Sequence, residues 1–148
     1  MARLVLTDAV VTLEATDISQ YVSSVTINTP EDVVETTGFG PTKSRTRTSG
    51  LRDHSVTLEF MNDFASGALE QLIDTIGIGE LADFTIKPTS AAVSATNPIY
   101  KADGSGSGAT QAGQVLVSEW TPLNGAVGEL STVSVTWPVS GQIVKATA

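Results

Sequence analysis

Few residues in this chain are of types and spacing suited to chemistry. His54 is the only histidine and directly follows Asp53, so with the many serines the inventory of a Ser-His-Asp triad is present. A triad also needs its nucleophile raised on a sharp strand-to-helix turn, and no Gly-x-Ser-x-Gly elbow stands in such a place. One histidine cannot build a His-rich metal site, and the carboxylates do not follow a calcium-loop pattern. Cysteine is absent, which removes thiol nucleophiles, disulfides and thiolate metal sites together. The run Asp103-Gly-Ser-Gly-Ser-Gly108 lacks the Gly-Lys-Ser/Thr ending of a phosphate loop, and no helical pattern follows to hold an anion, so it reads as a flexible tip. Carboxylates paired for glycoside chemistry would need aromatic platforms, but Trp120 and Trp137 each fall at a strand end, where core packing is the commoner role. The expectation is a protein without catalytic residues, metal or cofactor, in which His54 is an ordinary residue at the start of a strand.

The elements that would position any site are mostly strands. Val11 and Leu13 alternate with Thr12 and Glu14 between Ala9 and Glu14, and Val25 and Ile27 alternate with Ser24, Thr26 and Asn28 until Pro30. Val56, Leu58 and Phe60 alternate with Ser55, Thr57 and Glu59. Further strands are expected at Arg3 to Thr7, around Phe84 and Ile86, at Gln114 to Trp120, at Val127 to Trp137 and at Ile143 to Ala146, with a short turn at Asp17 to Tyr21. One segment has helical periodicity: Leu69, Leu72, Ile73 and Ile76 form one stripe, with Ser66 as the expected N-cap and Gly77 as the stop. Small and polar residues dominate 89–113, which is expected to be a flexible loop or irregular hairpin. The fold class expected is mainly β, a sandwich or barrel with one flanking helix, in a single domain over 1–148.

The 148 residues carry 16 acidic and 8 basic side chains, for a formal charge of −8. Such a surface repels phosphate backbones, so a nucleic-acid-gripping function is disfavoured, while a conduit for nucleic acid gains from walls that do not bind it. The first residues fit neither a signal peptide nor a transmembrane helix, and a soluble, unprocessed chain is expected.

The segment from about Thr29 to Asp53 breaks the strand pattern. It reads as a long structureless connection, of a kind that is usually functional or disordered. Its charges are segregated: Glu31, Asp32 and Glu35 open it, and Lys43, Arg45, Arg47 and Arg52 gather near its end. Copies meeting head to tail would set one cluster against the other, so the segment is expected to be an inter-subunit assembly arm; a solvated surface loop is the plainer alternative.

In order and spacing, Asp17-Ile-Ser-Gln-Tyr-Val-Ser-Ser-Val25, Glu35-Thr-Thr-Gly-Phe-Gly40, Gly50-Leu-Arg-Asp-His-Ser-Val-Thr-Leu-Glu-Phe60, the helix at Gly67 to Ile76 and Thr96-Asn-Pro-Ile-Tyr100 together resemble the major tail tube proteins of long-tailed bacteriophages. No single motif decides it, but the similarity spans most of the chain. The resemblance implies a β-sandwich or barrel that forms hexameric rings, stacked into a tube through which DNA passes without specific binding. It implies a place in the virion tail, with synthesis in the bacterial cytoplasm, and tape-measure, tail-tip and tail-terminator proteins as partners. It makes the 29–53 segment the bridge between subunits or rings. Glu59 is the leading candidate for the lumen wall, with Glu14, Glu119 and Glu129, in or beside other strands, as further candidates. A tube of a contractile tail or a secretion system fits the same outline. The alternatives from other classes are a carbohydrate-binding or adhesion β-sandwich using Trp120 and Trp137, and a hydrolase using His54.

Overall fold

In the computed structural model, residues 5–41 and 43–147 are described. The strands are β1 (Val10–Leu13), β2 (Thr16–Asp17), β3 (Val22–Asn28), β4 (Glu31–Glu35), β5 (Arg47–Arg52), β6 (Ser55–Met61), β7 (Leu81–Ala82), β8 (Phe84–Lys87), β9 (Ile99–Ala102), β10 (Gln114–Leu116), β11 (Thr132–Ser140) and β12 (Val144–Ala146). One α-helix, α1, spans Leu69–Ile76. Two five-stranded antiparallel sheets, ordered β12-β9-β8-β1-β2 and β3-β6-β11-β10-β7, share a single hydrophobic core, as in a β-sandwich; β4 and β5 form a separate two-stranded sheet.

Period-two alternation builds the core. Val56, Leu58 and Phe60 of β6 and Val133, Val135 and Trp137 of β11 point inward, while Val11, Leu13, Phe84 and Ile86 come from the other sheet. Phe60 is the hub: its ring meets Trp120 edge-on with centroids 5.7 Å apart and Trp137 at 5.8 Å. On the helix, Leu69 and Ile73 are buried, and Leu72 and Ile76 pack partly against the same core.

Several element boundaries differ from the sequence reading. The helix begins after Ala68 rather than Ser66, and its first turn is tied by the Gln71 side chain accepting the Gly67 N–H at 2.9 Å. Gly77, at φ +89°, ends it as expected, with its N–H bonded to the Ile73 carbonyl. The expected strand at Gln114 to Trp120 is only Gln114–Leu116, and that at Val127 to Trp137 begins at Thr132, because 121–131 forms an exposed loop. Of the expected strand at Arg3 to Thr7, Arg3 and Leu4 lie outside the described residues, and Val5 to Thr7 are not in a strand.

The 89–113 region is no simple loop, for it contains β9, which pairs with β8 on one side and β12 on the other. Its glycine-rich tip is folded back on itself: Asp103 accepts the Ser105 N–H and hydroxyl, and the Ala112 N–H bonds the Ser105 carbonyl at 2.7 Å.

Candidate functional site: an exposed hairpin and its surroundings

The segment expected to be structureless is a β-hairpin. β4 and β5 pair antiparallel, with Val33 opposite Ser49, Val34 opposite Thr48 and Glu35 opposite Arg47, and a register shift lies between Glu31 and Val33. Its base is clamped where the Asp53 N–H bonds the Pro30 carbonyl at 2.9 Å. Every residue of both strands is exposed. Val33, Val34 and Leu51 stand in solvent, and Phe39, in the 36–46 tip, is fully exposed. A lone two-stranded hairpin is marginal in water, and this one also displays four large apolar side chains to solvent.

The antiparallel turn explains the charge segregation. Acids first and bases last along the sequence become neighbours across the hairpin: Glu31 Oε2 lies 3.2 Å from Arg52 Nε, and Glu35 Oε1 lies 3.9 Å from Arg45 Nε. Hydrogen bonding from the Ser49 hydroxyl, followed by the Arg52 guanidinium, holds the Glu31 carboxyl below its usual range. These contacts are within one chain, whereas the sequence reading set the two clusters against each other between copies. Asp32 lies beside Gly50, away from both ion pairs, and Lys43 sits in the tip.

The four acids considered for a lumen wall fall in different settings. Glu59 is exposed on β6 between Ser24 of β3 and Ser134 of β11, on a face where the Thr57 and Thr136 hydroxyls lie 3.2 Å apart. It is the only charged residue in those three strands. Glu119 follows β10, and its carboxylate accepts the Thr136 N–H at 2.9 Å, covering part of the β11 edge. Glu14 belongs to the other sheet: Glu14 and Ala15 form the β1–β2 turn at φ 50° and 61°, a left-handed conformation uncommon for such residues. That turn is held by Asp83, whose carbonyl accepts the Glu14 N–H and whose N–H donates to Glu14 Oε1, both at 2.8 Å. Glu129 is exposed in the 121–131 loop, three positions before β11 begins.

Beside that turn, α1 leaves a depression of about 440 Å³, lined by Glu14, Leu72, Thr75, Ile76, Glu80 and Leu81. A second depression, of about 350 Å³, is apolar and lies between the sheets, lined by Leu6, Val25, Ile27, Ile86, Pro88 and Tyr100. Sequence reasoning noted neither, since each is assembled from distant segments; the helical stripe at Leu72 and Ile76 was the one available signal.

His54 is buried immediately before β6, with Nδ1 3.2 Å from the Thr29 hydroxyl, and its carbonyl accepts the Val139 N–H. Among the described residues, no serine hydroxyl is hydrogen-bonded to its ring. Trp137 is wholly buried and donates from Nε1 to the Glu119 carbonyl at 2.8 Å, while Trp120 packs on Phe60. Trp120 is half-buried against the core. Among the described residues no group of three or more His, Cys, Asp or Glu is arranged to hold a metal ion, and no helix is long and apolar enough to cross a membrane. Compared with protein-family models and with curated proteins, the chain matches none.

Proposed function

We propose that this protein is a structural subunit that assembles with copies of itself into a hollow tube, in the manner of the major tail tube proteins of long-tailed phages. Hexameric rings, stacked through the hairpin arm, form a conduit through which DNA passes into the host. The observation that carries this reading is the β4–β5 hairpin, a clamped, protruding element that exposes Val33, Val34, Phe39 and Leu51 and gains burial only from another molecule. The outer face of β3, β6 and β11 adds support. It is lined by serine and threonine hydroxyls with Glu59 as the one charge, and a wall without cations offers a phosphate backbone nothing to hold. The net charge of −8 per chain acts in the same direction.

Negative-stain microscopy of concentrated protein tests this directly. Rings or tubes are expected; strictly monomeric particles under every condition would overturn the reading. Replacing 31–52 by a short Gly-Ser link, which the Pro30–Asp53 clamp permits, is expected to leave a folded monomer that no longer polymerises.

A further inference from the structure

The hairpin differs in charge from the rest of the molecule. Residues 31–52 hold four of the chain's eight basic residues and three of its sixteen acidic ones, leaving 13 acids against 4 bases elsewhere. The arm is net positive on a strongly negative body. Its tip is more one-sided still, for 36–46 contains Lys43 and Arg45, no acid, and the fully exposed Phe39. Arg45 has only the long 3.9 Å contact to Glu35, with both side chains well exposed. A tip that carries an exposed aromatic ring and two cations is a plug that calls for an apolar socket with a carboxylate rim.

The depression beside α1 has that chemistry. Leu72, Ile76 and Leu81 supply apolar surface, and Glu14 and Glu80 bring carboxylates to the edge. Leu81 is 45% exposed despite its size, and Ile76 is only partly covered. The Asp83 clamp fixes the Glu14 turn, so this side of the rim is preorganised. The apolar depression between the sheets has no charged residue in its lining and offers the cations nothing. Within one chain the socket stays open, because Phe39 touches nothing. The five residues of β4 carry the tip roughly 15 Å from the clamp, far enough to reach a neighbour.

We propose that the hairpin tip of one copy, with Phe39 as the plug and Lys43 and Arg45 as the cations of the same tip, seats in the Glu14/Leu72/Ile76/Glu80/Leu81 depression of a second copy. This rests on the self-assembly reading and names the surface the arm grips. The contact is heterologous, plug to socket, so each subunit gives one and receives one, and the series propagates or closes by geometry alone. Opposite charges at the rim speed encounter and fix the orientation of the tip, while the ring supplies the desolvated centre.

The absence of cysteine makes the test clean, since every disulfide must come from introduced residues. Gly40→Cys protein, which keeps the Phe39 ring beside the new thiol and in which the added Cβ meets no atom within 4 Å, is mixed with Thr75→Cys protein, Thr75 being an exposed lining residue, and with Val25→Cys protein to probe the other depression, under mild oxidation at assembling concentration. Cross-linking of Gly40→Cys to Thr75→Cys and not to Val25→Cys is expected. Independently, Glu80→Arg or Arg45→Glu alone is expected to raise the concentration needed for assembly about tenfold or more, and the charge-swapped double variant to restore it. Oligomers that form without the Gly40–Thr75 cross-link, or whose assembly ignores both charge reversals, overturn the socket and leave the tube reading standing. No oligomer at all overturns the self-assembly reading and the socket with it.

Discussion

Glu31 and Arg52 face each other at the base of the hairpin, with 3.2 Å between Oε2 and Nε, although 21 positions separate them in sequence. Both side chains remain solvated, so the pair aligns the hairpin's strands without anchoring the core. Arg52→Ala is expected to leave the global urea-unfolding midpoint unchanged while speeding hydrogen exchange at amides of Val33 to Glu35 and Arg47 to Ser49. Slowed or unchanged exchange there would show that the pair does not hold the register.

His54 makes stability depend on pH in a narrow window. Burial is the main cause holding its pKa below the ordinary value; the Arg52 guanidinium adds to this, and Asp53 opposes it. The unfolded chain therefore takes up its proton first, near the unperturbed value of about 6.5. Stability is full above that pH and declines as pH falls toward the folded-state pKa. His54→Gln, which keeps a partner for the Thr29 hydroxyl, is expected to flatten the urea-midpoint profile below about pH 6.5. As this is the only histidine, a slope that survives the substitution would need another source.

Trp137 fills the centre of the core and also bonds the Glu119 carbonyl. Trp137→Ala is expected to cost about 3–5 kcal/mol in denaturant unfolding, as large aromatic truncations do. Trp137→Phe, which keeps a ring but drops the indole donor, is expected to cost less. Equal costs would mean that the hydrogen bond, and not the volume, governs the site.

Gly113 lies where two backbones meet. A Cβ there would fall on the Ser140 carbonyl and within 2.8 Å of the Gly141 Cα, at the point where β10 joins β11 through Gln114 and Ser140. Gly113→Ala is expected to destabilise by about 1–3 kcal/mol through overpacking against backbone that cannot swing aside. Gly128→Ala, which meets no atoms within 4 Å, provides the contrast, with only its backbone conformation at φ +82° to oppose it.

What could be read in advance follows from burial. The strands β6 and β11 were legible because one face is fully buried, so Val56, Leu58, Phe60, Val133, Val135 and Trp137 had to alternate with polar residues. The hairpin strands bury neither face, so Glu31-Asp-Val-Val-Glu35 and Arg47-Thr-Ser-Gly-Leu-Arg52 carry no period, and the 36–46 tip is too long for a short-turn signature. The readable trace of the hairpin is its charge order, which antiparallel pairing turns into the Glu31–Arg52 and Glu35–Arg45 contacts within one chain. β9 escaped notice because its four residues owe their conformation to β8 and β12, and the helix start because Gln71 does the work assigned to Ser66. Glu14 was legible as an acid near a strand end, but its Asp83 clamp lies 69 positions away.

Trypsin cuts after lysine and arginine, and Lys43, Arg45, Arg47 and Arg52, half of all such residues in the chain, stand on the solvent-bathed arm. The clamp between Pro30 and Asp53 ties off the segment at its root, so nicks in the arm leave the sandwich beneath whole. On the proposed assembly, the hairpin thereby doubles as a built-in reporter: the pace of its digestion would read out, without any label, what fraction of arms is shielded by a neighbour.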